Sequence, residues 1–186
     1  MKLILASNSP RRKELLTEYG FDFEVVKSNF NETVSNLSPK ETVCEFALGK
    51  ALDVFLSLSQ PSDVLILGAD TVVVFGDKIL GKPKDFADAV STLSILSGKT
   101  HSVLTAYAFV SKNERVVNVE KTKVSFNKLS PMLIEDYVKN KKPFDKAGSY
   151  GIQDGYPLVE KIIGSYNNVV GLPVEVFCEQ LKEFLK

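Results

Sequence analysis

Short apolar runs alternate along the chain with segments whose apolar residues recur at helical spacing. Apolar runs bounded by turn residues are typical of β-strands, and recurrence every three or four residues is typical of amphipathic helices. This pattern predicts strands at 2–6, 21–26, 101–111, 115–127 and 158–163, and two strands within 63–80 around a Gly76-Asp77 turn. It predicts helices at 10–19, 38–59, 85–97, 130–140 and from about 173 onward, and a polar loop at 27–38. Together these elements predict an α/β fold with a mixed sheet.

Three of the predicted helices have clear start signals. Ser-Pro pairs at 9–10, 38–39 and 130–131 place a side-chain acceptor at the N-cap and a proline at the first helical position. Glu41 completes a capping box with Ser38. Because no internal repeat, low-complexity tract or linker interrupts the pattern, residues 1–186 are expected to form one domain.

The composition argues against several classes of protein. The 23 basic and 23 acidic residues give a formal net charge of zero, which does not favour binding to nucleic acid or to a membrane surface. Any anion site must therefore be local. Cys44 and Cys178 form no C-x-x-C pair and are expected to be buried thiols in a reducing cytoplasm. No secretory signal or transmembrane-length segment is visible, so a cytoplasmic location is expected.

The stretch "SNSPRR" at 7–12 carries the first sign of chemistry. Arg11 and Arg12 are two of only three arginines, and they lie in the first turn of a helix, where the helix dipole disfavours cations. Free backbone N–H groups and two guanidinium forks would suit a phosphate. The alternative is that both arginines are solvated or pair with Glu14 and Glu18.

Three further residues break local rules. Asp70 lies within an apolar strand, where a carboxylate needs a cation, a metal or a solvent-facing cleft; the alternative is a cap on a nearby turn. Lys50 lies on the apolar stripe of its helix, where it either serves a site or extends its ammonium group to solvent. Lys82 follows a hairpin in the tight turn "GKPKD", which by itself is a weak signal.

Other catalytic schemes fit less well. His101 is the only histidine, so a histidine-rich zinc site is impossible, and a structural role in a strand is expected for it. No phosphate-binding G-x-x-x-x-G-K-[ST] loop is present. The segment "GSYGIQDG" at 148–155 allows close backbone approach to a ligand, with Gln153 offering an amide to a base edge, or it is simply a packed turn.

Seven stretches in order along nearly the whole chain closely resemble the Maf proteins, a family of house-cleaning nucleoside triphosphate pyrophosphatases. They are "SNSPRR" (7–12), "LGKA" (48–51), "GADTVV" (68–73), "GKP" (81–83), "GKTHSVLT" (98–105), "DKAGSYGIQ" (145–153) and "GSYNNVVGLP" (164–173). The resemblance implies a long twisted mixed sheet flanked by helices, with two lobes and a central cleft, as in inosine triphosphate pyrophosphatases. It also implies a homodimer that acts on a nucleoside triphosphate.

The family's chemistry then assigns roles by position. The resemblance implies hydrolysis between the α and β phosphates, with Asp70 as proton acceptor and Glu32 and Asp70 as candidate ligands of a divalent cation. Mg²⁺ suits such carboxylates, with Mn²⁺ or Co²⁺ as alternatives. The matching phosphate-binding positions are Ser7, Ser9, Arg11, Arg12, Lys50 and Lys82. The matching specificity positions are Arg11, Thr71 and Gln153.

The segment "DKAGSYGIQ" resembles the branch that acts on dTTP and UTP. Two stretches depart from the family pattern. Asn31-Glu32 stands where relatives have an acidic pair, and "QDGYP" follows where relatives often have more glycine. The alternatives are a 7-methyl-GTP-type or inosine-type pyrophosphatase, and a non-catalytic nucleotide-binding regulator of cell division and septum formation.

Overall fold

The computed structural model describes residues 1–33, 36–59 and 61–186. Its strands are β1 (Lys2–Leu5), β2 (Glu24–Val25), β3 (Val64–Phe75), β4 (Lys78–Leu80), β5 (Thr100–Val110), β6 (Arg115–Phe126) and β7 (Val159–Ile163). Its helices are α1 (Pro10–Glu18), α2 (Pro39–Ser57), α3 (Phe86–Leu96), α4 (Pro131–Lys141), α5 (Tyr166–Val170) and α6 (Val174–Leu185). Short 3₁₀ turns lie at Pro61–Asp63 and Ala147–Ser149. Residues 34 and 35 of the predicted loop lie outside the described residues.

The helix starts follow the sequence signals closely. Ser38 and Glu41 form the predicted capping box, and Ser130 accepts a hydrogen bond from the backbone N–H of Leu133. One predicted element was wrong in extent, and one helix was missed. The strand at 21–26 is reduced to β2, because Phe21 and Phe23 pack against the core instead of joining the sheet. The five-residue helix α5 is too short for its periodicity to show in the sequence.

One mixed sheet organises the fold, in the order β2-β1-β3-β5-β6-β7. Strand β1 pairs in parallel with β2 and β3, and the remaining pairs are antiparallel. Along one edge of β3, the pairing with β1 ends at Leu67 and the pairing with β4 begins at Val73. Residues 68–72 therefore have no strand partner on that edge, and this opening contains Asp70.

Three buried clusters surround the sheet. One lies between β1, β3, α1 and α6, and a second lies under α3 and α4. The third lies between the opposite face of β3 and α2. Helix α2 crosses β3 at Gly68, where a Cβ would lie 2.2 Å from the backbone oxygen of Ala47. Only glycine allows this approach, which sets the distance between α2 and the open segment of β3.

The two cysteines are more exposed than the sequence predicts. The prediction of buried thiols was wrong: Cys44 and Cys178 are partly exposed free cysteines, because both lie at the borders of their helices' packed faces. Among the described residues, none of the helices combines the length and apolar character needed to cross a bilayer.

Candidate active site

A cavity of about 440 Å³ lies at the opening in the sheet. Ten of its lining residues are those singled out from the sequence: Ser7, Ser9, Arg11, Arg12, Glu32, Lys50, Asp70, Thr71, Lys82 and Gln153. These residues lie between positions 7 and 153 of the sequence, and the fold brings them to one cavity.

The charge of this cavity differs from that of the whole protein. Among the described residues, six cationic side chains and three carboxylates line it, although the chain carries no net charge. The cations are Arg11, Arg12, Lys27, Lys50, Lys82 and Lys146, and the carboxylates are Glu32, Asp70 and Asp145. The cavity is therefore suited to a polyanion. Because the whole chain has no net charge, this attraction comes from the local excess of cations.

The wall formed by the start of α1 supplies backbone donors. Ser9 is the N-cap residue but makes no side-chain cap, and the first turn has no acidic residue. The N–H groups of the first turn have no intrahelical partner, so those of Arg11 and Arg12 remain available to a ligand. Ser7 shapes the loop before the helix, because its Oγ accepts from the backbone N–H of Ser9 at 3.2 Å.

Arg12 is buried, and its guanidinium group contacts the protein itself. Its Nε donates to the backbone oxygen of Gly171 at 2.9 Å, and its Nη1 donates to that of Ala69 at 2.9 Å. Ala69 belongs to the unpaired edge of β3, where Leu67 still accepts from Ala6 of the β1 side. Arg12 thus replaces the missing strand as the donor to this edge. Burial lowers its pKa and nearby Asp70 opposes that shift.

A polar chain extends from Arg12 into the sheet. Its Nη2 donates to Thr71 Oγ1 at 3.1 Å, and Thr71 Oγ1 is 3.0 Å from Thr105 Oγ1. Thr105 in turn donates to the backbone oxygen of Asn168 in α5. Sequence reasoning missed Thr105 and Asn168. Thr105 could have been found by the rule that identified Asp70, since it too is a polar residue inside an apolar strand.

Lys50, Glu32 and Asp70 form the charged centre of the cavity. Lys50 Nζ donates to Asp70 Oδ1 at 2.7 Å and lies 2.6 Å from Glu32 Oε1. Asp70 is 8% exposed, and the positive charge of Lys50 offsets the desolvation cost of burying its carboxylate. The alternatives of a turn cap for Asp70 and a solvent-directed Lys50 are therefore wrong.

Glu32 and Asp70 are the carboxylates of this charged centre that could hold a divalent cation. One oxygen of each carboxylate contacts the same ammonium group, so the two carboxylates are neighbours in the cavity. Burial alone raises the pKa of Glu32, but the hydrogen bond and charge of Lys50 outweigh it, and the net pKa is below its usual value. Glu32 is therefore charged at neutral pH. Among the described residues, no set of three or more His, Cys, Asp or Glu side chains converges on one point.

Arg11 lines the same cavity and is bonded to a different carboxylate. Its Nη1 donates to Asp145 Oδ2 at 2.7 Å, and Lys146 Nζ donates to the other oxygen, Oδ1, at 2.9 Å. The alternative that Arg11 and Arg12 pair with Glu14 and Glu18 is wrong, because both side chains turn into the cavity wall. Sequence reasoning missed Asp145, whose only signal was its place in a stretch quoted for family resemblance.

Lys82 and Gln153 are exposed and line the rim of the cavity. His101, in contrast, is structural as expected: it is 3% exposed and its Nε2 lies 2.8 Å from the Tyr150 hydroxyl. Burial lowers its pKa to about 4, so it is neutral at physiological pH. It supports Tyr150, which lines the cavity, from behind.

Comparison with known proteins adds independent findings. The family model described as Maf-like protein matches residues 2–184. The chain is 49% identical over 175 residues to a dTTP/UTP pyrophosphatase of Thermosipho africanus, covering 94% of this chain and 88% of that protein. It is 46% identical over 185 residues to a dTTP/UTP pyrophosphatase of Bacillus thuringiensis subsp. konkukian, covering 98% and 95%.

A solved structure has a similar fold. The nucleoside-triphosphatase / dITP/XTP pyrophosphatase from Mycobacterium abscessus matches with a TM-score of 0.50 and 15% identity, covering 98% of this chain and 95% of that chain. At this identity the likeness concerns the fold alone. It confirms the expectation of a mixed sheet flanked by helices.

Proposed function

Because this chain belongs to the family of Maf-like proteins, we propose that it hydrolyses dTTP and UTP to the nucleoside monophosphate and pyrophosphate. The observation that carries the proposal is the Asp70 carboxylate, held by Lys50 inside a cavity with an excess of cations. The substrates named for the two relatives, each more than 45% identical, support the choice of pyrimidine nucleotides.

In the proposed reaction a water molecule attacks the α-phosphorus. Asp70 orients the water and takes its proton. A new bond forms between the water oxygen and the α-phosphorus, and the bond between the α-phosphorus and the oxygen that bridges to the β-phosphate breaks. The electron pair of that bond leaves with pyrophosphate. Lys50 and Lys82, with the free N–H groups at the start of α1, stabilise the charge that develops on the phosphates.

A divalent cation is part of this proposal. Glu32 and Asp70 would hold it, and when bound it would supply Lewis-acid stabilisation of the phosphate oxygens. Two protein carboxylates suit Mg²⁺, which in nucleotide sites takes most of its other ligands from water and phosphate; Mn²⁺ and Co²⁺ are the alternatives.

Base selection is assigned to Arg11, Thr71 and Gln153. Gln153 is exposed at the rim, where its amide can pair with a base edge. The hydroxyl of Thr71 is already bonded to Arg12 and Thr105. We therefore assign Thr71 an effect on specificity through the shape of the cavity wall and not through direct contact with the base. Ser7 and Arg12 are likewise bonded to each other at 3.2 Å, so we assign them to shaping the phosphate cradle.

Substrate assignment is tested with a panel of triphosphates. Pyrophosphate release is measured with Mg²⁺, Mn²⁺ and Co²⁺ from dTTP, UTP, CTP, 7-methyl-GTP, ITP and modified pyrimidine triphosphates. Preference for dTTP and UTP is expected. Preference for 7-methyl-GTP or ITP would overturn the role of Gln153, and failure to hydrolyse any triphosphate would favour a binding protein without turnover.

We also propose that the protein functions as a homodimer in the cytoplasm. The homodimer and the cytoplasmic location are proposed because the chain belongs to this family. The geometry of the cavity is not used for either. Light scattering after size-exclusion chromatography is expected to give twice the chain mass of 20.6 kDa. A mass equal to one chain at micromolar concentration would contradict it.

A further inference from the structure

Asp145 connects two walls of the cavity that are far apart in sequence. It belongs to the loop between α4 and the 3₁₀ turn Ala147–Ser149, whereas Arg11 begins α1, 134 residues earlier. Each Asp145 oxygen accepts from a different cation: Oδ2 from Arg11 at 2.7 Å and Oδ1 from Lys146 at 2.9 Å. We call these three residues the Asp145 clamp.

The cations of the clamp are unusually confined for surface residues. The side chain of Lys146 is 14% exposed and that of Arg11 is 20% exposed, whereas that of Asp145 is 56% exposed. A long cationic side chain loses considerable rotamer freedom when held this way. Because ordering two such side chains around one exposed carboxylate costs conformational entropy, stability alone does not account for this arrangement.

Both cations of the clamp line the cavity and have more N–H donors than Asp145 uses. The bond to Asp145 uses only Nη1 of Arg11, and Lys146 has one of its three N–H bonds directed at Asp145. The two cations outnumber the single carboxylate, so the clamp as a whole remains positive. Asp145 stays ionised: burial alone would raise its pKa, but Lys146 and Arg11 outweigh it and lower the pKa to about 2.

We infer that Lys146 is a further triphosphate-binding cation, and that Asp145 is a positioning residue that holds Arg11 and Lys146 in the cavity that Lys50 also lines. The inference rests on the proposed function. Lys146 and Arg11 thereby add to the positive charge that Lys50 and Lys82 bring to the same cavity. Asp145 preserves this geometry before substrate arrives and reduces the ordering cost of binding.

The first test measures binding and turnover of Lys146→Met. Because Lys146 is assigned to binding in both the ground state and the transition state, KM for dTTP is expected to rise about 10-fold with kcat nearly unchanged. Titration with inorganic tripolyphosphate, followed by calorimetry, is expected to show a similar loss of affinity. Lys139→Met, an exposed lysine of α4, is the matched control. Unchanged KM and affinity in Lys146→Met would overturn the role of Lys146.

The second test asks whether Asp145 acts through Arg11. Asp145→Asn is expected to weaken tripolyphosphate binding about 5-fold in the wild-type background, and less in an Arg11→Met background, because the residue it positions is then absent. Asp136→Asn, an exposed acid of α4, is the control. Tighter binding by Asp145→Asn would show that the carboxylate competes with substrate. Equal losses in both backgrounds would show a structural effect; either result overturns the positioning role.

These tests separate the inference from the proposed function. A wild-type protein that hydrolyses no triphosphate refutes the proposed function, and the inference falls with it. An active wild type whose Lys146 and Asp145 variants behave like their controls refutes the inference alone. Unfolding midpoints of all variants, measured by circular dichroism, identify any loss of binding that comes from misfolding.

Discussion

Arg11 and Arg12 are adjacent in sequence and have different environments. Arg11 is partly exposed and bonded to a carboxylate at the cavity wall, whereas Arg12 is buried and bonded to backbone oxygens. The helix dipole that disfavours both is offset for Arg12 by these acceptors, and for Arg11 by Asp145 and the expected phosphate. The pair therefore combines a ligand-facing residue with one that holds the wall together.

The fork geometry of Arg11 is the first testable point. We expect Arg11→Lys to keep the charge but to lower kcat/KM by about 10- to 100-fold, because an ammonium cannot bind Asp145 and a phosphate in the same planar arrangement. Steady-state kinetics with dTTP measure this. Arg115→Lys changes the one other arginine, at the exposed start of β6, and serves as control. A fully active Arg11→Lys protein would show that charge alone suffices.

Arg12 is expected to behave differently. Arg12→Lys removes most of the hydrogen bonds to Gly171, Ala69 and Thr71 and leaves the backbone oxygen of Ala69, on the unpaired edge of β3, without its donor. We expect a loss of about 3 kcal/mol in the free energy of unfolding, together with lower activity. Urea denaturation of Arg12→Lys and Arg11→Lys side by side measures this. Equal stability of the two variants would contradict the structural role of Arg12.

At the scale of elements, the contact between α2 and β3 sets the distance from Lys50 to Asp70. Gly68→Ala would place a methyl group against the backbone of Ala47 and Ala51 and push α2 outward. We expect a loss of about 2 kcal/mol in stability and a drop in kcat, because the Lys50 to Asp70 contact lengthens. Gly81→Ala, which meets no atom within 4 Å, is the stability control. Wild-type stability in Gly68→Ala would refute the close packing.

His101 makes the packing of the sheet against the Tyr150 loop sensitive to pH. Its pKa is about 4 in the folded protein, against roughly 6.5 when unfolded. Between these values the unfolded chain takes up a proton that the folded protein does not, so stability falls as pH drops from about 6.5 to 4. We expect this loss in the free energy of unfolding to be about 3 kcal/mol.

Urea titrations of the wild type and His101→Gln across this range measure the effect. The wild type is expected to lose stability more steeply with falling pH than the variant, whatever their difference at neutral pH. Parallel curves would mean that His101 does not titrate differently in the two states.

Local rules predicted the elements better than the contacts between them. The capping box at Ser38 and the strand containing Asp70 were predictable because neighbouring residues determine both. The bond from Arg12 to Gly171 joins residues 159 positions apart and depends on how the chain packs. The same holds for Arg11 and Asp145. A lone buried charge shows that a partner is needed, but local sequence does not identify the partner.

At the scale of the whole molecule, the opening in the sheet explains where the site lies. Parallel pairing of β1 with β3 ends at Leu67, and antiparallel pairing of β4 with β3 begins only at Val73. The intervening segment carries Asp70 at the point where neighbouring strands separate, a common place for ligand sites in α/β sheets. Helix α2 brings Lys50 from one face, and the start of α1 adds its donors at the edge.

The central claim is that Asp70 activates water at the α-phosphorus of a nucleoside triphosphate. Release of pyrophosphate from dTTP by the wild type and by Asp70→Asn, at saturating substrate with Mg²⁺, tests it most directly. We expect the wild type to form dTMP and pyrophosphate in equal amounts, and Asp70→Asn to be slower by at least about 100-fold while still binding tripolyphosphate. An Asp70→Asn protein as active as the wild type, or release of orthophosphate in place of pyrophosphate, would contradict it.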